Sequence, residues 1–151
     1  MEPIMLKGKS AYPAFRMVAL LENIRRSAPG LGVAGVEAWH VYFIDTESSL
    51  SADVLEKANA LLGTTGEFIR TDGFIVIPRK GTISPWSSKA TDIFHNCGLT
   101  DVIRVERGIH FRLFSGDGRV FSVQESQPGL CFLHDRMTEG VYMDVSDMFR
   151  H

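Results

Sequence analysis

Apolar residues recur along this chain in two rhythms, one of three and four residues and one of short continuous runs. Ile4-Met5-Leu6, stopped by Gly8, predicts a first strand. Proline is tolerated in a first helical turn, so positions 10–13 open a helix whose apolar face is Ala14, Met17, Val18 and Leu21. Arg25 and Arg26 suit its last turn, and Pro29-Gly30 ends it. Positions 36–45 are rich in β-branched and aromatic residues, which predicts two short strands or one bent one around Trp39-His40. Ser51 caps a second helix that buries Val54, Ala58, Leu61 and Leu62 and stops at Gly63. Residues 67–69 suggest a short strand, and Asp72-Gly73 turns into a buried strand at 74–77. A third helix, 85–97, places Ala90, Ile93, Phe94 and Cys97 on one face before Gly98. Two further strands follow around Gly108, then a turn at Asp117-Gly118. A final helix over 132–139 and a closing strand at 141–143 complete the pattern, and Pro128-Gly129 interrupts any regular helix in the stretch before them.

The pattern repeats. Leu6-Lys7-Gly8 leads through Pro13 into a helix, and Arg79-Lys80-Gly81 leads through Pro85 into another. Downstream, His40-Val41-Tyr42-Phe43 resembles His110-Phe111-Arg112-Leu113. Each half reads strand, helix, strand, strand, helix, strand, which is the order of the ferredoxin-like unit. The expected fold is therefore α+β, with two tandem ferredoxin-like (βαββαβ) halves, about 1–70 and 71–151, forming a pseudo-dimer within a single domain.

The whole chain has 151 residues, 44% hydrophobic and 23% charged, with a net charge of −2. This is enough chain for one self-sufficient core, and the charge argues against a nucleic-acid surface. No basic run followed by an apolar core opens the sequence, and no apolar run approaches the ~20 residues of a membrane helix. A cytoplasmic protein with reduced thiols is expected, since two cysteines make no disulfide framework.

The most distinctive segment is 79–99, with Gly81-Thr82-Ile83-Ser84-Pro85-Trp86-Ser87-Ser88-Lys89-Ala90-Thr91-Asp92-Ile93 at its heart and Asn96-Cys97-Gly98-Leu99 at its end. Together with Val105-Glu106-Arg107-Gly108, Leu133-His134-Asp135-Arg136-Met137-Thr138-Glu139, and the opening Leu6-Lys7-Gly8 with Ala14-Phe15-Arg16, it resembles the N-terminal domain of large-type phosphoribosylformylglycinamidine synthases. The likeness covers nearly the whole chain and departs at Lys80 and between 116 and 129.

The resemblance implies a domain like a fused dimer of the small PurS subunit, non-catalytic in itself and with no cofactor of its own. Its partners would be the synthetase domain, which uses ATP and magnesium to activate the amide oxygen as a phosphate, and the glutaminase domain, which makes ammonia with a cysteine nucleophile. The parent enzyme would convert formylglycinamide ribonucleotide to the amidine.

Helix N-termini suit anions, so Thr82, Ser84, Ser87 and Ser88, with Lys80 and Lys89, are candidates to hold the substrate's phosphate or to face the synthetase domain. Trp86, Asp92 and Asn96 extend that surface along the helix, and Arg104 and Arg107 extend it onto the next strand. The bland alternative is a capped, solvated helix. A small thiol hydrolase using Cys97, or Cys131 with His134, is the competing enzyme reading, and an unrelated α+β binding module is the third. The spacing of His95 and Cys97 excludes a zinc pair, and His40 and His110 read as ordinary sheet residues.

Overall fold

The computed structural model describes residues 4–64, 66–68, 72–78, 82–122, 124–133 and 139–142. The elements run β1 (Ile4–Ser10), α1 (Ala14–Ser27), β2 (Val33–Thr46), α2 (Ala52–Leu62), β3 (Gly66–Glu67), β4 (Phe74–Pro78), α3 (Pro85–Asn96), β5 (Val102–Ser115) and β6 (Glu139–Tyr142). Short 3-10 turns occupy Pro29–Leu31 and Gln127–Phe132. The strands form a single six-stranded antiparallel sheet in the order β3-β1-β2-β5-β4-β6.

That order is a palindrome. β3-β1-β2 on one side matches β6-β4-β5 on the other, with an approximate twofold axis between β2 and β5, near the register pairs Trp39↔His110 and His40↔Ile109. A shift of 70 positions carries the inward residues of α1 (Met17, Leu20, Leu21, Ile24) onto Ser87, Ala90, Thr91 and Phe94 of α3. Ile24 and Phe94 are both buried. The Gly8/Gly81 match cannot be placed, because 79–81 lie outside the described residues.

The repeating unit differs from the expected one. Around Trp39-His40 the single strand of the two alternatives is formed, 14 residues long, whereas the two strands expected around Gly108 are also one strand of 14 residues. Gly108 marks a close approach rather than a turn. A Cβ there would lie 2.8 Å from the Val76 carbonyl oxygen, 3.3 Å from Ile77 Cβ and 3.3 Å from Phe43 Cε2. The two halves thus share one sheet through β2 and β5 instead of closing separate four-stranded sheets.

Between the register shifts at the ends of β2 and β5, strand alternation sends the even positions of β1, β2 and β4 and the odd positions of β5 to the face covered by helices. Two cores form there. One joins Ile24 of α1 to Ala38, Phe74, Val76, Phe111, Leu113, Leu130 and Leu133. The other joins Ala58 of α2 and Phe94 of α3 to Leu6, Ile44, Leu99, Val102 and Val105. Each core draws side chains from both halves, so neither half closes a core alone. On the reverse face Val41, Phe43, Ile75 and Ile77 are buried together against Met5, Phe68 and Tyr142.

Several expectations shift by a fraction of a turn. In α1 the buried stripe is centred on Ile24, and Val18 is 57% exposed. The same spacing rule fits both stripes, and the richer one, which includes Leu20 and Ile24, faces the sheet. Leu61 and Ile93, expected inside, are 38% and 44% exposed. The helix expected over 132–139 is not formed at either end. Phe132 closes a 3-10 turn and Glu139 opens β6, while 134–138 lie outside the described residues.

Candidate functional site

α3 begins as its sequence dictates. Ser84 caps it by accepting a hydrogen bond from the Ser87 backbone N–H at 3.0 Å, and Pro85 takes the first helical position. The polar residues further along the helix answer a need of the sheet. β4 pairs with β5 only from Phe74↔Phe111 to Val76↔Ile109, which leaves the earlier part of β5 without a strand on that edge. Backbone groups on a covered edge must find partners. One row of α3 supplies them: Ser87 Oγ donates to the Val105 carbonyl at 2.5 Å, Thr91 Oγ1 accepts from Val105 N–H at 3.1 Å, and His95 Nε2 lies 2.6 Å from the Val102 carbonyl. Residues four apart stack on one helical face, so this row acts in place of a neighbouring strand.

Glu106, which the sequence reading passed over as a site residue, is the centre of the arrangement. It is 1% exposed. Its carboxylate accepts from Ser84 Oγ at 2.9 Å, from an Arg104 Nη at 2.7 Å and from the Arg107 backbone N–H at 2.9 Å. Arg104 also donates to the Thr82 carbonyl at 2.9 Å. The signal was available in the alternation Arg104-x-Glu106, which puts opposite charges on one strand face. A buried carboxylate therefore stands beside Ser84 at the start of α3.

The expected site residues separate into three groups, with Ser87 apart from all of them. Thr82, Ser84 and Arg104 gather around Glu106. Trp86 is half-buried against the Leu6–Ile44 core, with its ring 5.7 Å from Tyr42 and the Arg107 guanidinium 4.9 Å above it. Ser88, Lys89, Asp92 and Asn96 are exposed along the outer face of α3, without side-chain partners among the described residues. Ser87 belongs to no surface. It is fully buried and its hydroxyl is committed to β5.

The other candidates do not assemble. His95 is engaged by Val102 and is not paired with Cys97, which is half-buried and free. The Cys131 side chain and His134 lie outside the described residues. His40 and His110 project from opposite faces of the sheet and form no pair. Among the described residues no three His, Cys, Asp or Glu side chains cluster as metal ligands, and no helix is long and apolar enough to cross a membrane.

His110 ties the turn before β4 to β5. Its Nε2 lies 2.7 Å from the Asp72 carbonyl, and Arg112 beside it pairs with Asp72 at 2.6 Å and with Glu37 at 3.5 Å. Burial, more than the nearby Arg112 charge, pushes the His110 imidazole below its ordinary value of 6.5. The folded state thus favours neutral His110, and its contribution to stability is complete above pH 6.5 and declines as pH falls below that value. Burial and Arg107 depress His40 in the same direction. Denaturant midpoints measured from pH 7.5 to 5.5 should fall, and His110→Gln should flatten the fall. An unchanged slope in that variant would remove His110 as its source.

A helix-backed antiparallel sheet of palindromic strand order, with a buried carboxylate organising one helix start, defines an α+β domain. Residues 39–150 match the formylglycinamide ribonucleotide amidotransferase N-terminal family, and the chain belongs to that family.

Proposed function

We propose that this chain is the non-catalytic N-terminal scaffold of formylglycinamide ribonucleotide amidotransferase, docked on the synthetase domain and helping to complete the ammonia path. In this reading the parent, a cytoplasmic enzyme of purine biosynthesis, converts formylglycinamide ribonucleotide, ATP and glutamine to the amidine. ATP and magnesium belong to its synthetase domain, and glutamine is hydrolysed in its glutaminase domain. The palindromic sheet supports the finer view of the two halves as a fused, PurS-like pseudo-dimer, each long strand standing where a ferredoxin-like unit has two.

The observation that carries this reading is the outer face of α3. Ile93 is 44% exposed there among Lys89, Asp92 and Asn96, and Trp86 is held at the start of the helix beneath Arg107. An exposed aliphatic and a fixed aromatic beside uncommitted polar groups resemble an interface core with its rim rather than a solvated helix.

In the full enzyme, Trp86→Ala and Lys89→Ala are expected to lower amidine synthesis from glutamine and from free ammonia about tenfold, the size of a lost interface contact. Glutaminase activity measured alone should suffer less. Unchanged synthesis in both variants, from either nitrogen source, would return these residues to the role of a capped helix and its packing.

A further inference from the structure

A strip of the helix-covered face lies between the two cores. Ala38, Phe111 and Leu113 belong to the α1 side, and Ile44 and Val105 to the α3 side. His40, Tyr42, Arg107 and Ile109 stand between them as the register pairs His40↔Ile109 and Tyr42↔Arg107, and none of the four is buried. Trp86 borders this strip from α3. β1 comes close on the other side through Gly8, where a Cβ would fall 2.6 Å from Tyr42 Cε2 and 3.1 Å from His40 Cβ. Glycine there keeps the two rings side by side, which gives this position a local purpose beyond ending a strand.

Arg107 differs from the other two arginines of β5. Arg104 pairs with Glu106 at 2.7 Å and Arg112 with Asp72 at 2.6 Å, whereas Arg107 has no carboxylate partner among the described residues. Its guanidinium is held over Trp86 instead. Next to it, the His40 imidazole is half-buried, with Nδ1 closed off from solvent and the Gly108 backbone beside the ring.

We propose that Arg107, His40 and Tyr42 form an anion site for a phosphate monoester group, with Trp86 holding the guanidinium in place. The choice of anion follows from geometry. A carboxylate is planar and is satisfied by the guanidinium fork alone, while a phosphate offers three terminal oxygens to donors arriving from different directions. Here a forked cation, an imidazole and a phenol stand on neighbouring positions of two strands. The start of α3 is the less favourable seat for a phosphate, because the Glu106 carboxylate stands beside Ser84 there. The site belongs to this chain and does not depend on how the chain meets other domains.

The test uses the 151-residue protein and inorganic phosphate at constant ionic strength, with the His40, Tyr42 and Trp86 ring resonances followed by NMR. Saturable shifts confined to these three rings are expected. Arg107→Ala should weaken binding about tenfold or more, as the loss of a charged hydrogen-bond donor implies. Arg26→Ala, on the exposed last turn of α1, should leave it unchanged. If Arg107→Ala fails to fold, Arg107→Lys keeps the charge without the fork and should still weaken binding severalfold. Shifts that never saturate, or that weaken equally in Arg26→Ala, would overturn the site. Tighter binding of malonate than of phosphate would overturn the assignment of its ligand.

Discussion

Glu106→Ala is expected to destabilise the protein by about 3–5 kcal/mol, the usual cost of removing one partner from a buried ion pair. The carboxylate is 1% exposed and meets three donors. Without it, Ser84 loses its acceptor, Arg107 N–H loses its partner, and Arg104 keeps only the Thr82 carbonyl, while its buried Nε already has no partner. Chemical denaturation of the purified protein measures the loss. Glu106→Gln should fall in between, since an amide retains one accepting oxygen but turns a donor toward Arg104 or Ser84. A loss below about 1 kcal/mol for the alanine variant, the scale of an exposed pair, would mean that water already reaches the carboxylate.

Phe94→Ala should cost a comparable amount, about 3–5 kcal/mol, through the cavity left when a buried aromatic ring is removed. Phe94 is 1% exposed in the core that holds Leu6, Ile44, Val102 and Val105. Because that core joins the two halves, unfolding should remain a single transition, with secondary structure and tryptophan fluorescence lost together. Two separated transitions would show that the halves fold independently. Ile93→Ala, one position away on the exposed face, should change stability by less than about 0.5 kcal/mol, like other surface substitutions.

Much of this fold can be read directly from the chain. The Ser51 and Ser84 caps, the 74–78 strand and the three helix spans follow from local rules that act within a few residues. The choice between two short strands and one long strand does not. Whether Gly108 is a turn or a spacer depends on Phe43 and Val76, which are distant in sequence. The same limit applies at Ser87. Four hydroxyl residues near a helix start suggest a polar surface, yet the end of β4 pairing at Val76 is what commits Ser87 to the interior. Ile93 shows the converse. Its spacing matches the buried stripe, and only the placement of α3 against the edge of β5 turns it outward. The register pairs at the centre of the sheet, His40↔Ile109 and Trp39↔His110, exist only once β2 and β5 meet.

Joining the two halves of the sheet in one chain has a thermodynamic consequence. A seam between separate copies holds only at concentrations above their dissociation constant, whereas a seam within one polypeptide is indifferent to dilution. Identical copies related by a twofold axis must also accept every substitution twice, once in each copy. Here position 17 carries a methionine thioether and its counterpart at 87 a hydroxyl that serves a strand edge. The covalent link lets one helix remain packing while its counterpart supplies polar partners to an edge, a division of labour closed to a symmetric pair.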